Sequence, residues 1–294
     1  MTLSSTRSAF SALFGLFALI ISSAAAASER IAVDAEGEGS ALVVIPGLTS
    51  SPDIFRPFAE HVGEHQIHWV TLAGFDGVPA PDNLDAFTRP AADALGRYIV
   101  DNDLRDVRLV GHSMGGVIAL MLAHDYPDRI DHVLIIDSVP YLAGLLRQGT
   151  TPENAAAGQL AMREQFAGMP RDAFLGMMRQ GLPVQATSAE SQAVVWDDIE
   201  ASDQQAVAVA ISEIYSGDFR AMLGQITSRV TVLIPHNAYV GTDADSLRAR
   251  YADQYSSLAR VSFRIIEDSR HFIMLDQPDA FADALQHFVQ GDDQ

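Results

Sequence analysis

The string Gly111-His112-Ser113-Met114-Gly115-Gly116 sets a hydroxyl among glycines, between the apolar run Val107-Arg108-Leu109-Val110 and an apolar stretch that begins at Val117. A strand that turns abruptly into a helix at such a serine forces strained torsions on it and exposes its Oγ as a nucleophile. Flanking glycines supply the room the turn needs. The same turn puts Ser113 at the positive end of a helix, where the Met114 N–H can stabilise an oxyanion. A serine nucleophile needs a base. Of the nine histidines, His271 lies in Asp268-Ser269-Arg270-His271-Phe272, between the last expected strand and the last expected helix. That is the edge at which an open α/β sheet places its chemistry, and it is late in the chain, as the order serine, acid, histidine requires. The turn itself directs His112 away from Ser113. His124, His132 and His287 read as surface positions at helix or strand ends. His61, His65 and His68 read as a solvated face, because Gly63 and a helix end spoil metal-ligand spacing. A second oxyanion donor is expected from the loop Pro46-Gly47-Leu48-Thr49, with the Leu48 N–H as candidate and Gly47 allowing close backbone approach.

These groups need a scaffold that brings loops together from distant parts of the chain. Ala41 to Ile45 is a short continuous apolar run ended by Pro46-Gly47, the pattern of a buried parallel strand. A helix over 52–62, strands over 67–72, 107–110 and 132–136, and helices over 86–100 and 115–124 give four strand-helix alternations. They imply a mostly parallel, doubly wound α/β sheet. From Pro140 to about Gly217 the strand signals vanish and Ala, Met, Gln and Gly dominate, so 140–217 is expected to be a helical cap insertion. The sheet resumes with strands over 230–234 and 261–266 and helices over 244–255 and 278–289, which makes 28–139 and 218–294 the core.

Composition removes whole classes of function. All 19 basic side chains are Arg, against 38 acidic ones, for a formal net charge of −19; such a polyanion repels phosphate backbones and excludes nucleic-acid binding. The absence of lysine excludes Schiff-base chemistry and a Walker lysine. With no cysteine there is no disulfide framework, thiol nucleophile or iron–sulfur cluster. No cofactor and no metal are expected. At the N-terminus a polar stretch with Arg7, an apolar run from Ala9 to Ile21 and the small residues Ser22 to Ala27 follow the order of a secretory signal peptide. The expectation is therefore cleavage near Ala27 and a periplasmic or secreted protein with no membrane span in the mature chain.

Together Ile45-Pro46-Gly47-Leu48, Leu72-Ala73-Gly74-Phe75, the Ser113 string, the helical insertion after Asp137 and Ser269-Arg270-His271-Phe272 resemble the α/β-hydrolase superfamily over nearly the whole mature length. The resemblance implies that Ser113 attacks an acyl carbon, His271 relays the proton and an acid orients His271. The family most often places that acid just after the strand matching Val230 to Ile234, but here the stretch is Pro235-His236-Asn237-Ala238-Tyr239, without a carboxylate. Asp137, at the end of the strand over 132–136, is the favoured substitute. Asp243 and Asp245 are alternatives, although Thr242 or Asp243 would more simply cap the following helix; Asn237 acting as an amide, or no third member, completes the set. Met162, Met169, Met177, Met178 and Met222 suit an adaptable lid over an apolar, ester-like small molecule, or pack the lid onto the body. The expected activity is hydrolysis of a carboxylic ester or lactone, with acyl transfer, amide cleavage or carbon–carbon bond cleavage open to the same machinery. A non-catalytic binding protein on this scaffold is the reading from another class.

Overall fold

Seven strands form one sheet in the order β1-β3-β2-β4-β5-β6-β7. They are β1 (Ile31–Glu36), β2 (Ser40–Ile45), β3 (His65–Leu72), β4 (Val107–His112), β5 (Ile130–Ile136), β6 (Arg229–His236) and β7 (Val261–Glu267). Only β1 runs antiparallel to its neighbour; the other five pairings are parallel. The computed structural model describes residues 29–147, 149–238 and 241–291. The segment 1–27, expected to be a signal peptide, lies outside them.

The central strands are continuous apolar runs because both faces of the sheet are covered. Alternate residues divide between two cores, as the period-2 pleat dictates. Val43, Ile45, Leu109, Val133, Ile135 and Val232 pack with α1 (Thr88–Asp101) and α2 (Met114–Asp125), whereas Leu42, Val44, Val110, Leu134 and Ile136 pack under α11 (Pro278–Gln290). Helix α2 is buried on every side from Met114 to Ala123, which explains why its sequence is apolar all round rather than amphipathic.

Between β5 and β6 the described residues form six α-helices, α3 (Leu142–Leu146), α4 (Pro152–Ala157), α5 (Gln159–Gly168), α6 (Arg171–Gln185), α7 (Ala189–Ala201) and α8 (Gln204–Ser216), and a 3-10 helix, Arg220–Gln225. Side-chain caps start several of them: Thr151 accepts from the Asn154 N–H, Ser188 from Ser191, and Asp203 from Gln205 and Ala206. The layer is bonded to the body. The Glu213 carboxylate accepts the N–H groups of Phe87 and Thr88 at 2.9 and 2.8 Å, and the Asp203 N–H donates to the Gly74 carbonyl at 2.7 Å. Helices α9 (Ala244–Gln254) and α10 (Ile273–Asp276) flank the last strand.

Three expectations change. The helix over 52–62 is two 3-10 turns, Pro52–Ile54 and Arg56–His61, because Pro57 has no N–H to continue an α-helical ladder. His132 is buried, against Thr231 at 3.0 Å, and is not a surface residue. His68 is buried too, bonded to the Tyr98 hydroxyl at 2.8 Å, and burial pushes its pKa down to about 4.

At Gly115 helix α2 meets the end of β2. A Cβ there would lie 2.1 Å from the Ile45 carbonyl oxygen and 2.6 Å from that of Pro46. Gly115→Ala should therefore cost about 3 kcal/mol through forced backbone displacement, read by chemical denaturation of the purified protein.

Candidate active site

Among the described residues, seven non-glycine residues have a positive φ: Asp103 and Asp106 lie in the turn before β4, and Thr49, Asp76, Ser113, Asp137 and Asp268 have φ between 41° and 63°. Each of these last five lies within a few residues of the carboxyl end of a strand: β2, β3, β4, β5 and β7. Such torsions persist only where the surroundings over-determine them.

Ser113 (φ 53°, ψ −119°) precedes α2 and makes no side-chain capping bond, so its hydroxyl is not committed to the helix. Its N–H donates to the Ile136 carbonyl at 3.0 Å, and its carbonyl accepts from Gly116 at 2.9 Å; the turn is held from both sides. Asp137 follows β5, and its N–H is fixed on the Leu233 carbonyl of β6 at 3.0 Å. Its Oδ2 accepts from His271 Nδ1 at 2.6 Å, and its Oδ1 accepts a short hydrogen bond from the Tyr251 hydroxyl. Burial alone would push the Asp137 carboxyl up; the charge and hydrogen bond of His271 and the Tyr251 phenol outweigh it and hold the acid below its ordinary value. A proton on Nδ1, facing the carboxylate, leaves Nε2 of neutral His271 as an acceptor, the form a general base requires.

The loop that carries His271 is bonded at both ends. Ser269 donates its N–H to His236 and its hydroxyl to Ile266, at 3.1 and 2.7 Å, and accepts from Asn237 Nδ2 at 2.5 Å. Beyond it, the Phe272 N–H donates to the Gln185 carbonyl of α6 at 3.0 Å. Asp276 joins the loop to the cap, accepting the Arg270 N–H on one oxygen and the Thr187 N–H and hydroxyl on the other, all at 2.8 Å.

His112 is fully buried, its ring centroid 4.5 Å from that of His271. Burial, with the nearby His271, pushes its pKa down to about 3, so it is neutral at physiological pH. Its Nε2 faces the His271 carbonyl oxygen at 3.0 Å; the acceptor fixes the proton on Nε2, and the bond ties the Ser113 turn to the His271 loop. On the other side, a Cβ at Gly47 would lie 2.8 Å from His112 Nδ1 and 3.1 Å from Ser113 Cβ. The Leu48 loop therefore runs directly against Ser113. The N–H groups of Leu48 and Met114 donate to no backbone carbonyl among the described residues.

The alternatives for the acid lie elsewhere. Asp243 caps α9, accepting from the Ser246 N–H and hydroxyl at 2.9 and 2.7 Å, and Asp245 is exposed in the first turn of that helix. Tyr251 and His112 are the site residues that sequence reasoning missed. For Tyr251 a faint signal exists, since Leu247, Tyr251 and Tyr255 recur at a spacing of one helical turn and are all buried. Among the described residues, no group of three or more His, Cys, Asp or Glu side chains could hold a metal ion. No helix among them is long and apolar enough to cross a membrane.

Comparison with known proteins bears on the family and the fold. The chain is 31% identical over 111 residues to a pimeloyl-[acyl-carrier protein] methyl ester esterase of Shewanella oneidensis, a match over 37% of this chain and 38% of that protein. It is 22% identical over 267 residues to the protein of the same name from Photobacterium profundum, over 87% of this chain and 96% of that one. Among solved structures, an esterase from Exiguobacterium antarcticum superposes with a TM-score of 0.70 at 18% identity, covering 88% of this chain and 95% of that one. An enol-lactonase from Burkholderia xenovorans does so with a TM-score of 0.69 at 16% identity, covering 88% and 96%; at such identities the likeness is one of fold. The family model described as "Alpha/beta hydrolase family" matches residues 42–284, a span that takes in six of the seven strands, the helical insertion and all the residues just described, and the chain belongs to that family.

Proposed function

We propose that this protein is a serine hydrolase that cleaves a carboxylic ester or lactone through an acyl-enzyme on Ser113. The observation that carries this reading is the Asp137 carboxylate 2.6 Å from His271 Nδ1, at the sheet edge where Ser113 stands at φ 53° with its hydroxyl uncommitted. Ser113 Oγ attacks the acyl carbon as its proton passes to His271 Nε2. Asp137 holds the imidazole in the correct tautomer and stabilises the imidazolium that forms. The oxyanion accepts hydrogen bonds from the N–H groups of Leu48 and Met114. His271 then protonates the leaving alkoxide, and a water molecule, deprotonated by the same imidazole, releases the acid and regenerates Ser113.

The alternative reading, a non-catalytic binding protein, draws its support from the lack of a carboxylate just after β6, and the Asp137 carboxylate against His271 speaks for the hydrolase instead. Relatives named as methyl ester esterases favour an ester over an amide. The cap favours an apolar acyl or alkoxy group: Met169, Met177 and Met178 of the insertion and Met222 at its edge are partly buried against the core, where flexible thioethers adapt to varied chains. Export belongs to the same proposal, carried by the segment 1–27.

Ser113→Ala should abolish ester hydrolysis and labelling by a fluorophosphonate probe with an unchanged melting curve; turnover retained in that variant would overturn the assignment. His271→Ala should fall nearly as far, and the double variant no further, because the two act as one unit. Asp137→Asn should lower kcat by about 10⁴ by stabilising the wrong imidazole tautomer, while Asp243→Asn and Asp245→Asn leave it within twofold, roughly.

Tyr251→Phe leaves one oxygen of a buried carboxylate without its donor and should cost about 2 kcal/mol at neutral pH. Asp137 has a lowered pKa in the folded state, so its stabilisation is present above the unfolded carboxylate value and is lost as pH falls through the folded one. The gap between Tyr251→Phe and wild type should therefore narrow in acid, as denaturation at a series of pH values would show. For export, intact-mass analysis of protein secreted by a bacterial host should place the mature N-terminus between Ala25 and Glu29.

A further inference from the structure

Helix α7 and the α7–α8 junction reach down to the sheet edge and touch the loops that follow β2 and β3. Asp198 Oδ2 accepts the Ser51 N–H at 2.9 Å. The Ser202 hydroxyl lies 3.3 Å from the Thr49 carbonyl oxygen and 2.8 Å from that of Asp198. From the body, Ser51 Oγ donates to Asp76 Oδ2 and accepts the Asp53 N–H, each at 3.1 Å. The segment between these anchors is the tight turn closed by the Ser50 N–H on the Gly47 carbonyl at 3.2 Å, with buried Thr49 at φ 63° in its middle. A β-branched residue does not hold such a torsion unaided. From the cap come the Asp198 acceptor for the Ser51 N–H and the Ser202 hydroxyl, whose one proton is shared between the Thr49 carbonyl and the nearer Asp198 carbonyl.

We propose that Asp198 and Ser202 are positioning residues, through which the cap holds the 47–51 turn in the conformation that aims the Leu48 N–H at the oxyanion. Seating of the cap and assembly of the oxyanion hole are then one event. The inference rests on the reading of Leu48 as an oxyanion donor given above.

The surroundings of Asp198 point the same way. Burial pushes its carboxyl up to about 6; the Ser51 N–H opposes this, and the negative charges of Asp76 beyond β3, Asp53 on the 3-10 turn and Asp197 on α7 add to it. A folded-state pKa above the unfolded value means that the ionised acid destabilises the fold above about pH 6, and that the cost is relieved as pH falls toward the ordinary carboxylate range. Asp198 is thus a liability for stability at neutral pH, and what it does there is hold the turn.

The test uses the purified full chain with a p-nitrophenyl ester and a trifluoromethyl ketone, which forms a tetrahedral adduct with Ser113 and so reads the oxyanion hole. Asp198→Ala and Ser202→Ala should each lower kcat about tenfold, with KM within twofold and ketone affinity weakened in step, a fraction of the loss seen when an oxyanion donor is removed outright. Asp198→Asn keeps an acceptor for the Ser51 N–H and should recover kcat to within about threefold of wild type. It should also melt higher than wild type at pH 7.5, the gap closing in acid. Asp197→Asn, the same charge change on the same helix but away from the Ser51 N–H, should leave kcat, KM and ketone affinity unchanged. If wild type turns over the ester but Asp198→Ala and Ser202→Ala match it in kcat and ketone affinity, the positioning role is overturned alone. A loss confined to KM, or an Asp198→Asn variant that melts lower at pH 7.5, also overturns it. If wild type neither turns over nor forms the adduct, both this inference and the reading of Ser113 fall.

Discussion

The contact on which the site depends is the approach of α2 to the end of β2. Gly115 brings the helix so close to the Ile45 and Pro46 carbonyls that no side chain fits between them. That approach lets β4 turn into α2 at a single strained residue, Ser113. It also brings the loop after β2 against the same residue, with Gly47 packed on Ser113 and His112. One backbone contact therefore places Ser113, Met114 and the Leu48 loop, the nucleophile and oxyanion donors of the proposed reaction. Its strength comes from the buried α2 helix and the parallel strands beneath it, which cannot slide without exposing apolar surface on two faces.

Around that contact the polar groups are satisfied in a nested order. Asp137 can be buried and ionised because both its oxygens have donors, one from His271 and one from Tyr251. Tyr251 is available because α9 packs its Leu247, Tyr251 and Tyr255 side toward the core. His112 stays neutral through burial and holds the His271 carbonyl. His271 thus has a carboxylate on one side and an uncharged ring on the other.

The parts legible in the sequence are those whose physics is local. Continuous apolar runs mark β2, β4 and β5 because burial on both faces leaves no polar positions. The glycines around Ser113 announce a turn that other residues cannot make. Asp137 could be favoured because it ends the strand beside the one that presents Ser113. The rest depends on partners far away in sequence. Tyr251 lies 114 residues from Asp137, and nothing in α9 signals which carboxylate it meets. His68 and His132 read as solvated because a histidine in a strand is polar on paper; their partners, Tyr98 and Thr231, are set by packing between elements. Over 52–62 the missing N–H of Pro57 breaks what reads as one helix into two 3-10 turns.

Seen from the loop that carries His271, the helical insertion is a structural member. The N–H of Phe272, immediately after the histidine, donates to Gln185 at the end of α6, and the Arg270 guanidinium reaches the Ala186 carbonyl at 3.0 Å. Asp276 divides its carboxylate between Thr187 on the insertion and Arg270 on the loop. In evolutionary and engineering terms the cap is not an interchangeable module: a lid grafted from a relative would have to reproduce backbone acceptors at the positions of Gln185 and Ala186 before the histidine loop could close. Diversification of this scaffold is then easier in α4 and α5, none of whose residues is buried, than at the α6–α7 junction, where a change meant to alter the lid also moves the loop of His271.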